Sequence, residues 1–581
     1  MNIIQFISAV DSRAEKLPRE DLLLFLHNYA QRLPEADRDD FLEALKELVP
    51  GAQREDAEQT FSEELSGELA AAAERLELIG DGELCLEGCY NDCYDDWYAS
   101  DGEEILYEDP ENICGFLENS CRLAHTLTDR ELYREAYELS DKLLSVCVEV
   151  DSEDELEPLC LSELCDGGLV SVDCNEFLNE AVYAAYNANP LRELPNIIFR
   201  FIALSHCSAG GIKPLMQRSG NQPERFSEFL RLWLNCLAQQ SGRMVNRLLP
   251  EAVSLSEDYG FLRGLAAEYA ETHPLLYVYL SELEHLRTNA ALGLETGMEA
   301  LEKIPSDYTA RAAAALLTAD CALRLNRPDT AELCWLEAFR SDTSVVNYLR
   351  LFTESRRFSD YRSEARAIYN ELHERADEIA KSPYHSGEPH RNCLHPNTYY
   401  TLLFFEGEFS RVINESMNIK TGLGWFSTFT KTGIALFLLL TNEEAEFSAG
   451  CRRMLRSIVY ETSFDKNEYM KGTLCERDIG SDELFTECFL YWRAGHTLPH
   501  EEAEKIIGRL RELISLRTRA IIEENRRGDY GECAAFVAAL GETLESRGSS
   551  NAAQRLMLEY KAEYPRRIAF HKELRAFGMK K

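Results

Sequence analysis

The chain has 581 residues, 45% apolar and 10% aromatic; this composition excludes global disorder, and the length exceeds what one hydrophobic core serves, so three or four packed units are expected. The formal charge is −40, and residues 1–200 carry 48 Asp and Glu against 14 Lys and Arg, whereas the remainder carries 53 against 47. Such a field repels nucleic-acid phosphates and anionic lipid heads and favours a basic partner, although a solubilising face accounts for the charge as well.

In chain order, Pro18 to Asp21 open a helix with a proline and early acids, and Leu22, Phe25, Leu26 and Tyr29 repeat at helical spacing. A second helix carries Phe41, Leu42, Leu45, Leu48 and Val49 on one face and ends at Pro50-Gly51. The same grammar continues to the C-terminus: apolar-periodic stretches alternate with short Gly, Pro, Asn or Asp breaks. Period-2 runs are nearly absent, and Gly168 to Val172 is the best strand candidate. The longest apolar run, Gly433 to Leu440, is too short to cross a bilayer and reads as a buried core helix. No secretory leader is evident, so a cytoplasmic location with reduced thiols is expected for the 18 cysteines. Breaks near His206–Pro223 and Lys381–Asn397 divide the chain into an N-terminal hairpin (1–52), an acidic Cys-rich helical region (53–208), a helical-repeat region (209–382) and a C-terminal helical-repeat region (383–581). The expected fold is all-α, an irregular solenoid of stacked antiparallel helix pairs.

Three windows share one pattern of small residues where paired helices cross and large ones where they diverge. Leu123, Ala124 and Leu127 precede a turn at Asp129-Arg130, and Tyr133, Ala136 and Leu143 follow. Ala315, Ala319 and Ala322 precede Asn326-Arg327-Pro328-Asp329, and Ala331, Trp335 and Ala338 follow. Tyr400 and Leu403 precede Gly407-Glu408-Phe409, and Val412 follows; Gly528-Asp529-Tyr530 marks another such turn. These windows resemble tetratricopeptide repeats, without a sustained 34-residue period. The resemblance implies a scaffold whose concave face holds a peptide or partner helix. The stretch from Tyr530 to Ala535, with Leu540-Gly541-Glu542 and Tyr564 to Arg567, resembles the helical region beside SWIM-type zinc fingers in bacterial proteins. The finger itself is absent, because no CxC accompanies Cys393-Leu394-His395.

Three clusters could carry chemistry. The acidic loop Asp92–Pro110 contains Asp95, Asp96, Trp97, Tyr98, Glu103, Glu104 and Tyr107. Its carboxylates suit a Lys/Arg-rich segment, with the aromatic rings adding cation–π contact, or a hard cation; a solvated loop is the plainer reading. Cys85, Cys89 and Cys93 stand four apart and would form one stripe on a helix, which packing explains better than metal binding. His385, His390, Cys393 and His395 lie within 11 residues and could wrap Zn²⁺ or a similar ion, or be incidental to a loop. Protease, hydrolase and nucleotide-binding signatures are missing. From Arg555 to Lys581 eight Lys and Arg face three Glu, which suits a polar cap on a solenoid.

The sequence therefore reads as a non-enzymatic protein-protein interaction scaffold or adaptor. It uses no cofactor and binds a basic protein or peptide through the acidic N-terminal third, with Trp97, Tyr98 and Tyr107 as anchors. The alternative is a metal-binding enzyme or sensor using the loop at 385–395. A third reading is a regulatory module whose cysteines sense oxidants.

Overall fold

The computed structural model describes residues 52–90, 105–152, 156–205, 211–215, 225–286, 289–376, 378, 388–425 and 428–580, with isolated positions 25, 27, 29 and 38. The expected hairpin of residues 18–50 therefore lies outside the described residues, as do Cys93 and most of the acidic loop. The chain forms two compact units, Met1–Gly210 and Gly211–Lys581.

In the first unit, α1 (Ala52–Gly80) leads into two strands, β1 (Leu86–Tyr90) and β2 (Ile105–Glu108). Helices α2 (Ile113–Asp129) and α3 (Tyr133–Ser145) follow, then β3 (Cys147–Val148), β4 (Val150–Asp151) and β5 (Leu159–Cys160). Helices α4 (Leu161–Asp166), α5 (Cys174–Ala188) and α6 (Leu194–Leu204) complete it. β1 pairs antiparallel with β2 and parallel with β4, and β3 pairs with β5. Gly88 permits the crowding in this sheet: a Cβ there would sit 2.7 Å from Val150 Cγ1 and 2.9 Å from Leu156 Cδ1. The helices bury one face each, with Leu117, Leu127, Ala136, Leu143 and Leu178 in the core.

The strands correct two expectations. Cys89 lies in β1, so Cys85, Cys89 and Cys93 form no helical stripe. Gly168 to Val172 forms turns and bends, with Gly168 in the left-handed region, rather than a strand. β1 and β2 were hidden because neither shows a clean apolar alternation, and the pairing between them is not local.

The second unit is helical almost throughout. It runs α7 (Phe226–Ala238), α8 (Arg243–Leu255), α9 (Tyr259–Glu268), α10 (Leu275–Leu286), α11 (Ala290–Lys303), α12 (Thr309–Arg324), α13 (Pro328–Ser341), α14 (Val345–Glu354) and α15 (Phe358–Glu374). It continues with α16 (Pro396–Phe405), α17 (Phe409–Ser416), α18 (Thr430–Thr441), α19 (Ala449–Glu461), α20 (Lys466–Met470) and α21 (Ser481–Ala494). Last come α22 (His500–Glu523), α23 (Tyr530–Ser546), α24 (Ala552–Glu563) and α25 (Ile568–Ala576). From α7 to α16 helices pack on their first and second neighbours in sequence, as in a solenoid of helix pairs. One hydrophobic cluster extends from Leu294 to Met579. The apolar run in α18 is buried along its length. Among the described residues no helix is long and apolar enough to cross a membrane.

The expected turns share one device. Glu131, Asn326, Gly407 and Asn525 all adopt positive φ at helix ends. At each, the next residue's N–H reaches back into the last helical turn: Leu132 to Leu127 O at 3.0 Å, Arg327 to Ala322 O at 2.8 Å, Glu408 to Leu403 O at 3.0 Å, and Arg526 to Ile521 O at 3.0 Å. These bonds satisfy carbonyls that would otherwise be orphaned and reverse the chain within a few residues. Ala319, Ala322, Ala331 and Ala338 are fully buried where α12 meets α13, because only small side chains fit that close crossing.

Beyond α18 the stacking is less regular, since α19 packs on α23. Gly450 makes that approach, and a Cβ on it would lie 2.5 Å from the backbone nitrogen of Ala539. The Glu542 carboxylate accepts hydrogen bonds from the N–H groups of Gly450 and Cys451, both at 2.8 Å, which caps the start of α19. Gly450→Ala is expected to destabilise the protein by about 1–3 kcal/mol through overpacking. Gly508→Ala, at an exposed position within α22 with open space around it, should stabilise by about 0.5–1 kcal/mol. Paired thermal melts check both signs.

Trp335 and Arg350 hold α20 from the far side of the sequence. Trp335 Nε1 donates to Gly472 O at 3.0 Å. Arg350, 1% exposed, donates from Nε to Tyr469 O at 2.8 Å and also reaches the carbonyl of Glu468 and the side chain of Asn347. Burial pulls its guanidinium down to about 10, opposed by Tyr469, Glu468, Asp342 and Glu354. Arg350→Leu strands these acceptors without a donor and is expected to cost about 3 kcal/mol, measured by denaturant unfolding.

Candidate functional site

A mainly apolar cavity of about 230 Å³ in the second unit lies between α8, α10, α12 and the segment Glu388-Pro389-His390. Each wall follows from its local sequence. Asn246 and Leu249 come from one face of α8. Pro274 lies in the short connection before α10, which places Leu275 at its start and Tyr279 one turn on. α12 contributes Thr309, Ala310 and Ala313. Its run of alanines serves close helix packing elsewhere, and at Ala313 the same small side chain leaves room. Leu275 is 37% exposed and stands at the opening.

The fourth wall is a loop held at several points. Thr309 donates to His390 O from its N–H at 2.9 Å and from Oγ1 at 3.2 Å. Arg391 Nη1 donates to Asp307 Oδ2 at 2.8 Å, and its guanidinium lies 5.3 Å from the centre of the Tyr308 ring. Asn392 is buried: its Nδ2 donates to Arg340 O at 2.8 Å and to Thr343 Oγ1 at 2.9 Å, and its Oδ1 accepts from Thr343 N at 3.1 Å. An asparagine does this well because it supplies donors and an acceptor from one planar group.

The cavity is nearly neutral. Among the described residues its lining includes one carboxylate, Glu388, and no lysine or arginine. His273 is 4% exposed, and its Nε2–H donates to Gln240 O at 2.8 Å. Burial holds its imidazole below the ordinary value, against the opposing pull of the Gln240 and Ala238 carbonyls. Burial, helped by Glu282, raises the Tyr279 hydroxyl. Both groups are therefore uncharged at neutral pH.

Of the residues expected to bind a metal, the three described ones, His390, Cys393 and His395, are not placed together. His390 lines the cavity. Cys393 and His395 are exposed, whereas Asn392 and Leu394 between and beside them turn inward, so the extended chain separates the two faces. His395 caps α16 instead, its Nδ1 accepting from Asn397 N at 3.3 Å. His385 lies outside the described residues. Among the described residues no three His, Cys, Asp or Glu side chains are placed together to hold a metal ion.

Of the expected partner-binding residues, Tyr107 sits half-buried on β2 opposite Gly88. Asp95, Asp96, Trp97, Tyr98, Glu103 and Glu104 lie outside the described residues. Burial pushes the thiols of Cys121, Cys334 and Cys533 up to about 12, which removes them as thiolate nucleophiles at neutral pH. Nothing in the sequence marks His273, Leu249 or Tyr279 as wall residues. Their signal was periodic burial, the same as for any core residue.

No family model matches the chain, and no curated protein matches it. Among solved structures, a monomeric mutant of IFIT1 with m7Gppp-AAAA is similar at 10% identity over 77% of this chain and 80% of that one, with a TM-score of 0.16. A superposition that loose adds nothing to the helix pairing seen directly in the structure.

The buried neutral His273 has a pH consequence. Its folded pKa lies below its unfolded value of about 6.5, so below that pH the unfolded chain takes up a proton that the folded one refuses. Its contribution is intact above pH 6.5 and is lost as pH falls toward the folded value. His273→Gln, which keeps a donor for Gln240, should lose less stability than the wild type between pH 7 and about 5 in parallel unfolding titrations.

Proposed function

We propose that this protein is a non-enzymatic binding scaffold and that the cavity beside His273 receives an apolar side chain from a basic protein or peptide. The observation that supports this is the cavity's combination of apolar walls, a rigidly held loop and an open mouth. An apolar cavity of about 150 Å³ is enough to hold benzene, so 230 Å³ takes a leucine, methionine or phenylalanine side chain. The formal charge of −40 and the presence of Glu388 with no Lys or Arg among the described lining residues favour a cationic segment around that anchor. Electrostatic attraction of this kind raises on-rate and selectivity more than affinity. The same field disfavours a nucleic-acid strand.

An array of Lys/Arg-rich peptides, each with or without a central Leu, Met or Phe, tests the reading on the full chain. Binding is expected only from peptides that carry both features. Ala313→Phe fills the cavity from the partly exposed side of α12 and should weaken that binding at least about tenfold with the thermal melt unchanged. Equal binding by peptides lacking the apolar anchor would sink the proposal.

A further inference from the structure

A second pocket, of about 420 Å³, lies between α18, α19 and α23, and it is lined by several charged side chains of both signs. Arg453, Ser457 and Tyr460 project from α19 at spacings of four and three, so they stand on one face. Lys431 faces them from α18 and Phe536 from α23. The volume falls in the range of sites for small organic ligands.

The charges in this pocket are not all satisfied. Glu532 is shared by two cations, Lys431 Nζ at 2.5 Å and the buried Arg517 Nε at 3.0 Å. Arg456 reaches Asp482 at 3.2 Å, an exposed pair of little energetic weight. Arg453 is exposed and makes no ion pair among the described residues. The strongly negative part of the chain lies in residues 1–200, outside this unit. Glu461 and Glu532 also line the pocket, so its described lining carries three cationic side chains against two carboxylates, and Arg453 is the cation left without an ion pair among the described residues.

Tyr460 is the other unspent group. It is 82% exposed, the most exposed of the large apolar and aromatic side chains in the described core and surface. Its ring is free to be covered, and covering it would remove apolar surface from water. A flat ligand surface stacked on the phenol would do so, while Arg456, one turn along the same helix, and Arg453, two turns along, would take the charged end. A guanidinium suits a phosphate because its planar fork donates two parallel hydrogen bonds.

We propose that the pocket between α18, α19 and α23 binds a small organic phosphate that carries a planar ring. The ring stacks on Tyr460, and the phosphate meets Arg453, with Arg456 and Lys431 adding positive potential. This site is independent of the cavity beside His273 and of any protein partner.

Calorimetric titration of the full chain at low ionic strength tests it with adenosine monophosphate, adenosine and inorganic phosphate as probes. Adenosine monophosphate is expected to bind saturably and more weakly as salt is raised. Adenosine should bind at least about tenfold more weakly, for want of the charged contact. Arg453→Gln should weaken adenosine monophosphate about tenfold. Tyr460→Ala should weaken it about fivefold but leave inorganic phosphate unchanged. Both substituted side chains are exposed, and unchanged melting temperatures would show that the fold is kept. The proposal is overturned by no saturable binding of adenosine monophosphate up to about 10 mM, by adenosine binding as well as its phosphate, or by both variants binding like the wild type.

Discussion

The hold of Arg350 and Trp335 on the segment around α20 is the constraint on which the second unit depends. A solenoid needs only contacts between neighbours, and its parts can then open one after another. Here donors on α13 and α14 are spent on backbone carbonyls of Glu468, Tyr469 and Gly472, more than a hundred residues later. A buried guanidinium cannot be left without acceptors, so α14 and α20 must arrive together or not at all. The tie converts a linear stack into a body whose later helices brace its middle.

Other buried polar groups do the same over shorter spans. Glu406 is 5% exposed and accepts from Tyr348 Oη at 2.6 Å and from Arg362 Nε at 3.0 Å, joining α14, α15 and the end of α16. Trp492 Nε1 donates to Phe405 O at 2.6 Å. Asn392 fixes the loop that closes the apolar cavity. Trp492 and Asn392 serve backbone groups at helix ends or in loops, where regular hydrogen bonding has stopped. Helix pairs are interchangeable in their apolar packing; these polar contacts select one register for each.

A braced framework explains how two small pockets persist without collapse. The cavity beside His273 exists because Ala313 is small and the surrounding elements are anchored elsewhere. The pocket beside Tyr460 exists because Gly450 brings α19 against α23 and Glu542 fixes its first turn, which orients the Arg453 face. The two sites differ in polarity, so they suit different ligands on one scaffold.

The sequence by itself determined the helical class, the turns at Asn326 and Gly407, the close crossing of α12 on α13 and the burial of α18. All of these are local, since periodicity, small residues and left-handed caps act within a few turns of helix. Glu131 fills the same left-handed position without the glycine or asparagine that would announce it, and β1 and β2 were invisible because strand pairing is not local. The metal expectation at His385, His390, Cys393 and His395 rested on spacing alone, and spacing does not say whether the backbone folds those side chains onto one point. Only the tertiary structure decided that His390 walls a cavity, that Trp335 donates to a distant carbonyl as well as packing, and that Arg453 and Tyr460 share a pocket. Those relations depend on which helices meet across long stretches of chain, and packing energy summed over many residues sets that, not the pattern of any one segment.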